Sequence, residues 1–330
     1  MRLAELVAPR TFRVLDVDAP VRAPGEVLVD VEACGVCASE LDLWEGRSDA
    51  ALPRRIGHEV SGVVAAADPE SPFPVGTPVA VWTLGSGYAE QVSAPADACR
   101  ALGTFPVGLG LLEPVACAAN AVELADVRLA DDVVIVGTDF MGSLVQQLVA
   151  MRGPRHVVVV DRRPDVLALA ARLGATRTVD SRTEDAEAAV ADLTDGRGAD
   201  VTFEVTGVQG GLDAVAGVTR MSGKVVLVGF HQGAPRTLAL GHWNWMAYDL
   251  RNAHFREPET IMRGMDVAGR LLAAGRLDLA ALVTHRFDLE RIDEAFAAAV
   301  AKPEGFVKAV VTMPRTATSP PVTAPTGATP

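Results

Sequence analysis

Two textures of apolar and polar residues divide this chain. In the first 120 residues the runs EVLVDVEACGV, HEVSGVVAAA, TPVAVWTLG and YAEQVSAP are short and broken by Gly, Pro, Asp and Ser. Such runs predict brief strands, and their number predicts a barrel-like β domain. The opening stretch MRLAELVAPRTFRVLDV alternates apolar and polar positions and predicts a first strand. From Asp132 the texture changes. DDVVIVG, HVVVVD, ADVTFEVTG and KVVLVGF are nearly continuous apolar runs, and amphipathic segments such as SLVQQLVAMRG, PDVLALAARLGA and GLDAVAGVTR separate them. Strands buried on both faces and joined by crossover helices make a doubly wound parallel sheet. After Glu257 the pattern predicts a helix in ETIMRGMDVAGRLLAAG, another in IDEAFAAAV, and a last strand in FVKAVVTM. The closing RTATSPPVTAPTGATP has no apolar periodicity, and 315–330 is expected to be a disordered tail.

Composition narrows the partners. A chain of 330 residues is long enough for two domains with real cores, and 49% hydrophobic with 22% charged residues is ordinary for a globular protein. A net charge of −12 disfavours nucleic acid as a partner. No apolar run approaches a membrane span, and the N-terminus lacks the pattern of a signal peptide. Cys34, Cys37, Cys99 and Cys117 do not make a disulfide framework in a chain this long, so a reducing, cytoplasmic setting is expected.

Chemistry enters first at the strand–turn–helix unit that begins at Asp132. Gly137-Thr138-Asp139-Phe140-Met141-Gly142 follows the strand VVIV and opens a helix, the context of the dinucleotide fingerprint G-x-G-x-x-G. Gly137 and Gly142 match it, and Asp139 stands where the middle glycine belongs. A carboxylate there either repels the pyrophosphate or caps the helix through its free N–H groups. Asp161 ends the next strand, roughly 20 residues on, where an acidic residue accepts hydrogen bonds from the ribose hydroxyls of NAD. Arg162 and Arg163 follow and soften a preference against NADP. Val205-Thr206-Gly207 and Val228-Gly229-Phe230 end later strands, the edge where such a sheet binds its ligand, so Thr206 and Gly229 are placed on the nicotinamide side.

Upstream lie Cys37, His58-Glu59 and Glu113. A thiolate, an imidazole and a carboxylate can hold zinc at three positions and leave a fourth for an alcohol oxygen. Taken singly each is ambiguous. Cys34-x-x-Cys37 can be a redox pair, half a zinc site or coincidence, and Glu113 suits the first turn of any helix. Their order ahead of a nucleotide unit is what gives them joint weight.

ACGVCASELDLWEG, IGHEVSGVV, LLEPVACAANAV, VVIVGTDFMG, LVTHRFDL and EGFVKAVV resemble the medium-chain dehydrogenase/reductase superfamily, in its zinc-dependent alcohol, sorbitol and threonine dehydrogenase branch. The resemblance spans about residues 1–314. It implies a GroES-like β-barrel catalytic domain over 1–120 and 256–314, and a Rossmann domain over 121–255. It implies that Cys37, His58 and Glu113 bind catalytic zinc, with Glu59 able to exchange onto the metal and Glu40 orienting His58. Ser39 matches the hydroxyl that passes the alcohol proton outward, and Asp42 stands where many relatives carry the histidine that finishes that relay. The four-cysteine lobe of a structural zinc is missing near VAVWTLGSGYAEQV, which implies one zinc per subunit. The implied reaction is hydride transfer between a secondary alcohol, such as a polyol, sugar, cyclitol or amino alcohol, and NAD. A homodimer or homotetramer is implied as well.

Trp243, Asn244 and Trp245 form an aromatic and amide cluster that reads as a substrate pocket or as an interface. A zinc-free quinone or enoyl reductase and a non-catalytic NAD-binding protein are the competing readings.

Overall fold

The computed structural model describes residues 1–313, so the tail expected to be disordered lies outside the described residues. Six parallel strands form the nucleotide-type sheet. In chain order they are Asp132–Val136, His156–Asp161, Arg177–Asp180, Ala199–Glu204, Thr219–Leu227 and Asp249–Asn252. Their spatial order is 3-2-1-4-5-6, with every pairing parallel. The order of strand addition therefore reverses between the adjacent first and fourth strands, where such sheets open a ligand crevice at their carboxyl ends. All five residues of Asp132–Val136 are buried, as a strand covered on both faces requires. Helices Phe140–Ala150, Pro164–Arg172, Ala186–Leu193, Gln209–Val218 and Leu240–Met246 lie in the five crossovers.

The other sheet has seven strands. Glu26–Gly35 runs through its middle, and its burial alternates along most of its length as one face meets the core. It pairs with Glu59–Ala66 on one side. On the other side Gln91–Pro95 takes its first half and Lys308–Thr312 its second half. Pro78–Trp82 and Cys99–Ala101 extend the sheet beyond Glu59–Ala66, and Val283–Asp288 joins in parallel beside Lys308–Thr312. The last strands of the described chain thus return to a sheet that its first hundred residues began. A separate hairpin pairs Arg2–Ala8 with Thr11–Asp16. Phe12, Trp44, Tyr88 and Phe296 stack tilted or edge-on at 5.0–6.2 Å between ring centres and fill the core beneath this region.

Helix Leu112–Ala125 joins the two sheets and packs on Pro258–Ala273 and Phe140–Ala150. The contact is close because Gly264 has no Cβ. One built there would lie 2.9 Å from the Ala116 Cβ and 2.8 Å from Asn120 Nδ2.

Candidate metal and nucleotide site

Strand Glu26–Gly35 ends just before Cys37, and strand Glu59–Ala66 begins just after His58. Their pairing, Gly35 opposite Glu59, delivers all three side chains to one place. A ligand atom from each of Cys37, His58 and Glu59 lies within 4.8 Å of the others. Glu40, buried on a turn of 3-10 helix, braces the imidazole. Its Oε1 is 3.1 Å from His58 Nδ1 and accepts the Gly57 N–H at 2.8 Å, while the Tyr88 hydroxyl donates to its Oε2 at 2.8 Å. A proton on Nδ1 leaves Nε2 as a lone-pair donor, which is how an outer carboxylate fixes the tautomer of a metal-binding histidine.

Glu59 is 1% exposed and faces Lys308, itself buried, whose Nζ is 2.7 Å from the carboxylate. That ammonium also lies 4.6 Å from the Phe140 ring centre. Burial works against the charge on Lys308, but Glu59 and Cys37 outweigh it and raise its pKa. Lys308 is well aligned on Oε1, so Oε2 is a buried oxygen with no aligned donor. Gly35 makes room for it, because a Cβ at that position would stand 1.9 Å from Glu59 Oε2.

The donor set fits zinc: a thiol, an imidazole braced at Nδ1 so that Nε2 can offer its lone pair, and a carboxylate whose Oε2 has no aligned donor although Lys308 Nζ stands 2.7 Å away. The electrostatics agree. Burial disfavours the imidazolium of His58, yet Cys37 and Glu40 raise its pKa above the ordinary histidine value. Anions converge on this ring in the way a bound cation would satisfy.

Glu113 opens helix Leu112–Ala125 and stands outside the three-residue group. It is electrostatically linked to His58, Glu59 and Lys308, and it accepts a hydrogen bond from Cys117 Sγ at 3.4 Å. Burial raises its pKa, and His58 opposes that shift. Ser39 Oγ is 3.2 Å from Cys37 Sγ and donates to it. The Asp42 carboxylate is gripped by Arg47, with Nε at 3.0 Å. Cys34 is fully buried in the sheet core.

The nucleotide turn lies at the sheet's reversal point. Gly137 has φ +94°, and a Cβ there would meet Thr206 Cγ2 at 2.7 Å. A Cβ on Gly142 would meet the Gly137 carbonyl at 1.9 Å, so this glycine lets helix and turn close. Phe140 is buried and Met141 half-buried. Asp161 Oδ2 accepts the Thr138 N–H at 2.8 Å, and Oδ1 accepts those of Arg162 and Arg163 at 2.7 and 3.0 Å. Arg162 is exposed. Gly229 must be glycine as well, since a Cβ would lie 2.2 Å from the Gly207 nitrogen. The capping role open to Asp139 is not what the side chain does: it makes no hydrogen bond to the helix it precedes.

The aromatic cluster is split rather than gathered into a pocket. Trp243 is buried against Tyr248, with ring centres 5.4 Å apart, whereas Asn244 and Trp245 are exposed. Sequence reasoning missed three residues. Lys308 was signalled only by a lone lysine inside the apolar run FVKAVV. Tyr88 carried no signal. Glu204, fully buried at a strand end, ties down the next turn through the N–H groups of Thr206 and Gly207 at 2.8 and 3.0 Å.

A three-donor metal group in a β domain, set against a 3-2-1-4-5-6 parallel sheet, defines the alcohol-dehydrogenase class of oxidoreductase. Comparison with known proteins narrows this. Residues 23–128 match the alcohol dehydrogenase GroES-like domain, and residues 141–266 match the zinc-binding dehydrogenase family. The chain is 29% identical to 2-dehydro-3-deoxy-L-galactonate 5-dehydrogenase from Pseudoalteromonas atlantica, over 94% of this chain and 98% of that one. It is 29% identical to sorbitol dehydrogenase from Gallus gallus, over 84% and 87% of the two chains. The solved structure of 2R,3R-butanediol dehydrogenase from Bacillus subtilis superposes with a TM-score of 0.82 at 25% identity, covering 94% of this chain and 99% of that one. The chain belongs to the zinc-dependent alcohol dehydrogenases of the medium-chain dehydrogenase/reductase superfamily, and it is an oxidoreductase acting on CH–OH donors. Among the described residues no helix is long and apolar enough to cross a membrane.

Proposed function

We propose that this protein is a cytoplasmic, NAD-linked dehydrogenase of polyhydroxylated secondary alcohols, with one zinc per subunit. The observation that carries the reading is the convergence of Cys37, His58 and Glu59 within 4.8 Å. Bound zinc would supply a Lewis acid for the substrate hydroxyl, and NAD would supply the hydride acceptor. The chain's own residues do the rest. Cys37 and His58 would hold the metal, with Glu59 in ligand geometry and Glu113 as the alternative carboxylate. Glu40 fixes the ring of His58. Ser39 takes the hydroxyl proton and passes it outward, and Asp42 is a poor end to that path because Arg47 already holds its carboxylate. Asp161 orients the ribose from its backbone-anchored position, Phe140, Met141 and Arg162 flank the cofactor, and Thr206 and Gly229 shape the nicotinamide side.

Three relatives, named for a deoxy-galactonate, sorbitol and a butanediol, share a secondary hydroxyl beside another oxygenated carbon, which supports the substrate class. Single zinc stoichiometry is supported by the cysteines. Cys34 and Cys99 are buried in strands, and the only metal-ligand group among the described residues is the one above. The edge strand Asp249–Asn252 carries exposed Leu250 and follows a helix that carries exposed Trp245, which supports pairing with a second copy. The free cysteines support a reducing compartment.

The test is elemental analysis of the purified protein together with NAD-linked oxidation of sorbitol, erythritol, butane-2,3-diol and galactonate. Near one zinc per subunit, lost in Cys37→Ala, with turnover on one of these, is expected. A zinc-free protein from metal-replete expression would overturn the reading. Comparing Glu59→Ala with Glu113→Ala for zinc content assigns the third ligand.

A further inference from the structure

We propose that Arg163 and Lys302 bind the phosphates of the dinucleotide, and that Asp139 is an internal counter-anion that occupies both until the cofactor arrives. This rests on the nucleotide-binding reading above. The middle position of the fingerprint is normally glycine so that backbone can approach the pyrophosphate. Here Asp139 turns its carboxylate away from the helix amides and onto two cations. Its Oδ1 is 3.0 Å from Arg163 Nη1, and its Oδ2 meets Lys302 Nζ.

These cations come from different parts of the chain. Arg163 follows Asp161 by two residues. Lys302 follows helix Ile292–Ala301 and has φ +46°. Arg163 also binds Asp165 and donates to the Phe306 carbonyl at 2.8 Å, while Asp165 accepts the Gly305 N–H at 2.7 Å. Asp139 is thus the centre of a clasp between the nucleotide turn and residues 302–306.

Charge decides what the clasp does. Asp139, Asp161 and Asp165 stand against Arg163 and Lys302 beside the turn, with Arg162 exposed at its rim. Lys308 is committed to Glu59. A pyrophosphate brings two further negative charges, so it is held only if Arg163 and Lys302 change partners. The exchange is accessible, because the side chains of Asp139 and Lys302 are 34% and 45% exposed. The released carboxylate returns to water, and the cations trade a carboxylate for phosphate oxygens. Cofactor affinity is then lower than the same turn would give with a neutral residue at position 139.

The alternative is that the clasp is only a staple between two segments. Titration of the full-length protein with NADH by fluorescence, and with ADP-ribose by calorimetry, separates the two, with melting temperatures confirming that each variant is folded. Asp139→Asn is expected to bind both nucleotides about fivefold tighter, and Arg163→Met and Lys302→Met about tenfold weaker. Adenosine, which has no phosphate, should bind alike to all four proteins. Nucleotide binding that stays the same in all three variants, or weakens in Asp139→Asn, overturns the clasp while leaving the dehydrogenase reading intact. Absence of nucleotide binding in both the parent and Asp139→Asn overturns the nucleotide reading and the clasp together. Binding that emerges only in Asp139→Asn supports the clasp in its strongest form.

Discussion

At the scale of single residues, the site depends on charges that compensate one another across long stretches of chain. Glu59 and Lys308 are 249 positions apart and form one buried pair. Removing one member of such a pair leaves the other charged and dry, which costs about 3–5 kcal/mol. Lys308→Met should therefore lower the free energy of urea unfolding by about that much, and the double variant with Glu59→Gln should recover a large part of it. If Lys308→Met alone is neutral, the pair is not buried in solution as described. Glu40 acts at one remove, through His58. Glu40→Gln is expected to weaken zinc binding by about 10–100-fold in a chelator competition, with the fold intact by circular dichroism. The cysteine, the histidine and both glutamates near the metal were legible because their order resembles a known family. Which glutamate stands in ligand geometry was not, since that depends on the register of Gly35 against Glu59 rather than on any local pattern.

At the scale of elements, the apolar periodicity located most of the architecture. Continuous Val-rich runs became the buried strands Asp132–Val136 and His156–Asp161, and the segments between them became helices. The strands Arg177–Asp180 and Asp249–Asn252 escaped notice because both lie at sheet edges and are short and polar, so burial leaves little mark on them. Helix Leu112–Ala125 was visible only as a place where a helix can start, because alanines pack on every side of it. Its contact with Pro258–Ala273 rests on Gly264. Gly264→Val should push the helices apart and destabilise the protein by about 1–3 kcal/mol, measured by thermal unfolding. An unchanged melting temperature would show that the two helices are not in close contact at this point.

At the scale of the whole molecule, acid should loosen the nucleotide sheet through one ion network. Asp132 and Asp200 sit where strands begin, among Arg155, Arg197 and Arg220. Burial alone would raise both carboxyls, but hydrogen bonds from Arg155 to Asp132 and from Arg197 to Asp200 dominate and hold them below the ordinary carboxylate range. A depressed folded-state pKa stabilises the protein above the unfolded value, near 3.9, and that stability is lost as pH falls through the folded value. Unfolding free energy should therefore decline below about pH 4, with Asp200→Asn flattening the decline by about 1–2 kcal/mol. A variant with the parent's full acid slope would place the proton uptake elsewhere.

The late return of Lys308–Thr312 to the first sheet has a consequence for the order of synthesis. Cys37, His58 and Glu59 leave the ribosome well before Lys308 and can meet soon afterwards. The ammonium that neutralises Glu59 belongs to Lys308, 249 positions after Glu59, and the strand that covers the second half of Glu26–Gly35 begins there. Across that interval the nascent chain carries a metal-ready cluster with an unbalanced carboxylate and an open strand edge. A metal ion captured at that stage would supply the missing positive charge before Lys308 exists, so zinc supply during translation should influence how much of this protein escapes aggregation.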